Sequence, residues 1–235
     1  MKYSWVILVF FFGINGGKAQ NTEFFSAADT FLKTHVENGR VDYASIVKQP
    51  LALNSVLKLA EKAAIDLQDP NVYQAFWINT YNLLVIKGVV DNYPLRSPLD
   101  VDGFFDKLRY NVGGRYITLN AIENELLRAR FPNEPRFHFV LVCAGLGCPP
   151  IIGEAYMPNR LNQQLHQQTA KALNDPMFIR NKGDKVFVSQ LFDWYKVDFD
   201  RAGGILAFIN RYRTTKFSKD ILLDYYPYDW RLNVK

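Results

Sequence analysis

The pattern of apolar and polar positions predicts helices that alternate with short strands. The segment 71–94 is apolar nearly all round, which is typical of a central, buried helix, and Pro94 marks its end. Amphipathic helices are predicted before it, over 24–37 and 51–65. This part of the chain is therefore expected to form a helical layer around one buried helix.

Short apolar runs bounded by turn signals predict strands in the second half. The best candidate for a central strand is RFHFVLVC, residues 136–143. Helices outnumber strands and their order is mixed, so the sequence predicts an α+β fold, a helix-rich single domain (20–235) around a small β-sheet. The other predicted elements are strands over 115–119 and 184–189 and helices over 120–130, 158–174, 190–199 and 203–212.

The first twenty residues, MKYSWVILVFFFGINGGKAQ, have the pattern of a secretory signal peptide. Lys2 precedes an apolar run of about 12 residues, and a membrane span needs about 20. Cleavage is predicted after Ala19, so residues 1–19 are expected to be removed, and the alternative is an uncleaved anchor. The mature chain is expected to be exported, periplasmic or extracellular, with no transmembrane span.

The charge of the chain excludes one class of partner. The formal net charge of +5 falls to +3 once Lys2 and Lys18 are removed, because no acidic residue leaves with them. The remaining Lys and Arg are dispersed, so no nucleic-acid partner is expected. Fingerprints for nucleotides, dinucleotides and zinc are missing from the sequence, so no cofactor and no metal are predicted. The expected partner is a small-molecule, peptide or glycan ligand.

Both cysteines lie in HFVLVCAGLGCPP, residues 138–150. Cys148 follows Gly145 and Gly147, which permit a tight turn with positive φ, and precedes a proline suited to the first position of a helix. A helix N-terminus there would lower the pKa of the Cys148 thiol and make it a nucleophile. Two alternatives stay open: a disulfide with Cys143 in an oxidising compartment, and an inert thiol at a turn.

His138 and Glu123 are the candidate acid–base groups. If residues 138–143 are extended, they cover roughly 17 Å, and Cys148 lies beyond their far end. Direct contact between His138 and Cys148 therefore requires a shorter strand, and the alternative for His138 is a packed core position. Glu123 has capping-box spacing from Asn120, and its functional alternatives are acid–base catalysis or orientation of His138.

Asn79 and Asn82 fall within an otherwise apolar stripe of the 71–94 helix. A buried amide without a partner costs about 1–3 kcal/mol, so both amides must be hydrogen-bonded. They either pin neighbouring loops or orient a catalytic group, as asparagine does in Cys-His-Asn hydrolases. Asp198, like its acidic neighbours, is interpreted as a helix cap, because no ligand spacing joins these residues.

Six segments of the chain resemble one family. They occur in the order seen in the domain-of-unknown-function 547 family, and the resemblance runs from about residue 25 to 233. The segments are GRVDYASI, QAFWINTYNLLVIKGVVDNYP, VGGRYITLNAIENELLRARF, RFHFVLVCAGLGCPP, VSQLFDWYKVDF and YDWRLN. The resemblance implies no established activity, although similar domains beside a glutaredoxin-like domain hint at thiol chemistry. It implies that the signature residues are Asn79, Asn82, Glu123, His138, Cys143 and Cys148.

The chain departs from that family pattern at two positions. Asn124 replaces a frequent histidine after Glu123, and Gly147 replaces a frequent serine before Cys148. A possible second base and a hydroxyl beside the thiol are thereby lost.

Two functions from different classes follow. The first is a thiol-dependent hydrolase or acyl-transfer enzyme, with Cys148 as nucleophile, His138 or another group as base, and Asn79 or Asn82 as orienter. The second is a non-catalytic binding or accessory domain stabilised by a Cys143–Cys148 disulfide. A reversible thiol-redox role lies between them.

Overall fold

The computed structural model describes residues 15–65 and 67–235, with side chains from Thr22 onward. The predicted signal peptide, 1–19, falls largely outside these residues. Its cleavage, and the domain boundary and export that depend on it, stay predictions.

Helices dominate the fold, as the apolar pattern predicts. About 49% of the described structure is helical and 12% is in strands, which confirms the α+β class. The α-helices are α1 (Asn15–His35), α2 (Tyr43–Lys48), α3 (Leu51–Lys62), α4 (Pro70–Asp91), α5 (Leu119–Ala121), α6 (Leu161–Asn174), α7 (Leu191–Trp194), α8 (Lys196–Arg201) and α9 (Ile205–Tyr212).

The strands within the described residues are divided among three small sheets. Two are antiparallel hairpins, β1–β2 and β3–β4. In the third, β6 pairs antiparallel with β5 and parallel with β7, so the end of the chain returns to the sheet. The strands are β1 (Val36–Glu37), β2 (Arg40–Val41), β3 (Tyr110–Val112), β4 (Arg115–Ile117), β5 (Arg180–Lys182), β6 (Lys185–Ser189) and β7 (Leu222–Tyr226).

Helix α4 is the central helix of the fold. Asp69 caps its N-terminus by accepting from the backbone N–H groups of Asn71 and Val72, and Pro70 occupies a first-turn position, where its missing N–H costs nothing. Most of its side chains are buried on every side, under α1, α2, α3 and the segment after α5. Among the described helices, none is long and apolar enough to cross a membrane.

The predicted strand over 136–143 is wrong. Residues Pro135–Phe139 form a 3₁₀ helix, and an irregular segment continues to Cys143. Pro135 favours a helical first turn, and the Glu134 side chain caps it by accepting from a backbone N–H. The apolar run is continuous because it is buried from several sides, and burial alone does not distinguish a strand from a short helix.

This 3₁₀ helix joins two hydrophobic clusters. Phe137 belongs to the larger cluster around α4, and Phe139 belongs to the cluster around α8 and α9. His138 lies between these two anchors and is itself buried. The short helix therefore holds His138 at the junction of the two clusters.

Candidate functional site

A cavity of about 240 Å³ opens where the two hydrophobic clusters meet. It brings together four of the six predicted site residues, Glu123, His138, Cys143 and Cys148. Asn79 and Asn82 are not among the residues that line it.

The two thiols share one tyrosine hydroxyl. The Oη of Tyr228 lies 3.0 Å from Cys143 Sγ, and it donates to Cys148 Sγ over 2.8 Å. The backbone N–H of Cys143 also donates to Cys148 Sγ, over 3.0 Å. Both cysteines are free thiols, so the predicted disulfide is not formed in this structure, although the two sulfur atoms contact the same oxygen.

The turn between the cysteines does not use glycine as predicted. The residue with positive φ is Ala144, at 62°, while Gly145 and Gly147 keep ordinary backbone conformations. Gly147 is required by close approach instead, because a Cβ there would lie 2.8 Å from Cδ1 of Tyr228. A left-handed alanine beside Cys143 is a strained conformation of the kind that clusters at functional sites.

The C-terminal segment holds this turn in place. Gly147 N–H donates to the Asp229 carbonyl over 2.7 Å, and Leu146 N–H donates to the Arg231 carbonyl over 2.8 Å. Tyr228 is therefore carried to the thiols by backbone pairing between the turn and the end of the chain.

The two thiols have opposite acidities. Burial alone would raise the pKa of Cys143, but hydrogen bonds from Cys148, Tyr228 and the backbone of Gly145 hold that pKa below its ordinary value. Burial raises the pKa of Cys148, as do its hydrogen bond to Cys143 and the charge there. The predicted helix N-terminus at Cys148 is wrong, because the next helix, α6, begins only at Leu161. No helix dipole therefore acidifies Cys148.

His138 is held by a buried carboxylate that the sequence interpretation had assigned to a helix cap. Its Nε2 lies 2.8 Å from Asp198 Oδ2, and the same oxygen accepts from Arg128 Nε over 2.7 Å. The imidazole also stacks on Tyr195 at a centroid distance of 4.0 Å. Among the described residues no hydrogen bond joins His138 to either sulfur, so its action on the thiols needs a substrate or a water between them.

Glu123 does not cap its own helix. Thr118 is the N-cap, accepting from the Ala121 N–H over 3.1 Å, so the helix starts before the predicted position. After α5 the backbone widens into a π-helix, Ile122–Arg128, a form that is frequent at functional sites. Glu123 is thereby free to enter the cavity, where Tyr81 Oη donates to it over 3.3 Å.

The two asparagines of α4 pin backbone rather than line the cavity. The Asn82 amide donates to the Val140 carbonyl and accepts from the Val142 N–H, both over 2.9 Å. Asn79 makes the equivalent pair with the backbone N–H and carbonyl of Tyr156, over 2.9 and 2.8 Å. Asn82 thus sets the path of the segment that ends at Cys143.

Sequence reasoning missed Tyr228, Asp198 and Tyr195 as site residues. All three lie in the resembling segments VSQLFDWYKVDF and YDWRLN, which is the one signal that could have drawn attention to them. Their link to the thiols and to His138 is long-range, so no local pattern reveals it. The described residues contain no group of three or more His, Cys, Asp or Glu side chains arranged to hold a metal ion.

Comparison with known proteins gives one match. Residues 65–172 match the family model described as "Protein of unknown function, DUF547". The match covers α4, Glu123, His138 and both cysteines, but it is shorter than the resemblance predicted and ends before Asp198 and Tyr228. No curated protein and no solved structure matches the chain. This match, which includes both thiols, supports a DUF547 family assignment for residues 65–172.

Proposed function

We propose that this protein is a thiol-dependent hydrolase or acyl-transfer enzyme, with Cys143 rather than Cys148 as its nucleophile. The observation that carries the proposal is the pair of thiols sharing the Tyr228 hydroxyl in a cavity that also holds His138. A thiolate is the nucleophilic form of cysteine, and this arrangement favours one thiolate of the two.

Three features support Cys143. Its side chain is partly exposed, whereas Cys148 is buried, so a substrate in the cavity reaches Cys143 first. Its pKa is lowered and that of Cys148 is raised, so the first proton leaves Cys143. The single O–H of Tyr228 lies within hydrogen-bond distance of both sulfur atoms, so it can turn from Cys148 Sγ to donate to the Cys143 thiolate.

The proposed reaction has two steps. In the reactive state, His138 holds the proton that Cys143 has lost. Cys143 Sγ forms a bond to the carbonyl carbon of the substrate, and the leaving group departs with the proton from His138, which leaves a thioester. Water, or an acceptor hydroxyl or amine, then gives a proton to His138 and attacks the thioester carbon. The C–S bond breaks and the thiolate is regenerated, so atoms and charge balance.

Asp198 serves this reaction as a positioning residue. It contacts His138 Nε2 and, through its negative charge, stabilises the protonated imidazole that is present before the first step and forms again in the second. Arg128 and Arg201 also pair with Asp198, which keeps the carboxylate ionised inside the protein.

The test is to trap the acyl intermediate. p-Nitrophenyl acetate is mixed with the reduced protein, and the modified residue is identified by peptide mass mapping. We expect an acetyl adduct at Cys143, which is lost in C143S and kept in C148S. An adduct at Cys148 alone would show that Cys148 is the nucleophile. If both thiols are free and neither forms an adduct, the proposal is overturned.

The second candidate is the non-catalytic domain stabilised by a Cys143–Cys148 disulfide. The hydrogen bond between the two thiols favours it, because it brings the two sulfur atoms next to each other. A thiol count on protein isolated without reductant separates the two proposals. Zero free thiols supports the disulfide, and two support the enzyme.

The proposed location is outside the cytoplasm, periplasmic or extracellular, and it rests on the signal-peptide pattern of residues 1–19. N-terminal sequencing of the protein recovered from the exported fraction tests it. We expect the first residue to follow Ala19, and full-length protein confined to the cytoplasm would contradict the proposal.

A further inference from the structure

Glu123 is the one formally charged acidic residue among those that line the thiol cavity, and no lysine or arginine lines it in the described part of the chain. Its partners are neutral phenols. Tyr81 donates to it over 3.3 Å, and a hydrogen bond with Glu123 contributes to raising the pKa of Tyr195, after burial and the Glu123 charge. A carboxylate has about four acceptor positions, so two phenols leave part of its capacity unused.

The two arginines at Asp198 do not pair with Glu123. Arg128 pairs with Asp198 over 2.7 Å, and Arg201 pairs with the second oxygen of Asp198 over 3.4 Å. Among the described residues, no ion pair joins Glu123 to a basic side chain. Glu123 therefore brings a formal negative charge to the cavity without a directly paired cation.

Aromatic rings line the same cavity as this charge. Trp194, Tyr228 and Trp230 contact one another, with ring centroids 4.8 to 6.0 Å apart. Trp194 is 47% exposed although it lines the cavity, so packing in the core does not explain its position. The electron-rich faces of tryptophan and tyrosine attract cations, most strongly where water is displaced.

We infer that the substrate of this site carries an alkylammonium group, primary or quaternary, which binds among Trp194, Tyr228 and Trp230 beside Glu123. Calling this ligand the substrate rests on the proposed thiol chemistry, but the cation site itself rests only on the rings and the carboxylate. An anionic ligand would meet no lysine or arginine among the described lining residues, and a neutral ligand would leave the charge of Glu123 unmatched.

The test compares two probes of the same shape, choline and its uncharged isostere 3,3-dimethylbutan-1-ol, by calorimetric titration of the full chain. We expect choline to bind at least about tenfold more tightly than the alcohol, because only choline gains the cation–π and carboxylate attraction. E123Q should weaken choline binding severalfold and leave binding of the alcohol nearly unchanged, and W194A should weaken choline binding more than binding of the alcohol.

E125Q is the matched control, because Glu125 is an exposed acid on the same π-helix and does not line the cavity. Equal affinity for the two probes, or equal loss in E123Q and E125Q, would overturn the cation site.

Failure of this inference is distinguishable from failure of the proposed function. C143S removes the nucleophile and should leave choline binding intact. If choline binds but no acetyl adduct forms, the cation site stands and the enzyme proposal falls. If the adduct forms but choline does not bind, the enzyme stands and the substrate class is wrong.

Discussion

The hydroxyl of Tyr228 lies 3.0 Å from the Sγ of Cys143, and it is among the contacts that hold the pKa of that thiol below its ordinary value. The residue that tunes Cys143 is therefore far from it in sequence and close to it in space. Four predictions follow from the arrangement around these residues.

Replacing Tyr228 by phenylalanine should slow alkylation of Cys143. The change removes the hydroxyl that stabilises the thiolate, so the pKa of Cys143 rises and less thiolate is present near neutral pH. We expect the rate of iodoacetamide labelling at pH 7 to fall by about tenfold, since a hydrogen bond to a charged group is worth about 1.5–3 kcal/mol. The difference in labelling rate between wild type and Y228F should shrink as the pH rises, because Cys143 then becomes ionised in both proteins. An unchanged dependence of the labelling rate on pH would show that Tyr228 does not stabilise the Cys143 thiolate.

Replacing Gly147 by alanine should have a similar effect without touching a sulfur atom. The new Cβ would lie 2.8 Å from Cδ1 of Tyr228 and 2.8 Å from the backbone nitrogen of Asp229, so the ring must move away from the thiols. We expect slower labelling of Cys143 and a loss of about 1–3 kcal/mol in the free energy of unfolding.

Gly145 provides the graded comparison. A Cβ there would lie 3.4 Å from Tyr228 Cε1, so G145A should disturb the ring less than G147A. Equal effects on the labelling rate would show that the close approach to the ring is not what selects glycine at position 147.

Replacing Asn82 by alanine should destabilise the fold. The change leaves the Val140 carbonyl and the Val142 N–H buried without partners, so we expect a loss of about 2–4 kcal/mol in the free energy of unfolding, measured by urea titration. Asn54, exposed on α3, is the matched control, and N54A should change stability by less than about 0.5 kcal/mol. Similar results for the two variants would mean that the segment before Cys143 does not depend on this amide.

Replacing Asp198 by asparagine should produce a pH-dependent loss of stability. Burial alone would raise the pKa of Asp198, but hydrogen bonds from His138 and Arg128 hold it well below its ordinary value. Because this pKa is lower in the folded state, the ionised carboxylate stabilises the protein above about pH 4, where the unfolded chain is also ionised. That stabilisation is lost as the pH falls from about 4 toward the depressed pKa.

The measurement is urea unfolding of the wild type and D198N from pH 7 to pH 3. The gap between the two should be widest near neutral pH and should narrow below about pH 4. D200N is the control, because Asp200 lies on the same helix, is largely exposed and pairs with Lys196. A gap that is independent of pH would contradict the depressed pKa.

The pattern of apolar positions predicted the elements whose structure depends on neighbouring residues in the sequence. Helix α4 is buried on all sides because its sequence is apolar on all sides, and its two asparagines are hydrogen-bonded because unpaired buried amides are costly. The same reasoning failed for 136–143, where an asparagine side chain supplies hydrogen bonds that a neighbouring strand would have supplied. The apolar pattern shows that a segment is buried, but it does not show which groups form hydrogen bonds with its backbone.

Only the part of the candidate site that precedes residue 150 was predictable from the sequence. Both cysteines, Glu123 and His138 lie in one cavity, and their nomination came from residue chemistry and from the family resemblance. The sequence predicted a lowered pKa for Cys148 from a helix N-terminus, but the next helix begins only at Leu161, and burial raises that pKa instead. Asp198 was missed because its role depends on a contact with His138 across 60 positions of sequence.

The parallel pairing of β7 with β6 has a consequence for the order in which the site forms during synthesis. Tyr228 follows Cys148 by 80 positions and Cys143 by 85. The ribosome therefore adds both cysteines to the chain well before it adds the tyrosine whose hydroxyl contacts them. The thiols are therefore part of the growing chain before Tyr228 is, and their distinct acidities arise only when the C-terminal segment has docked.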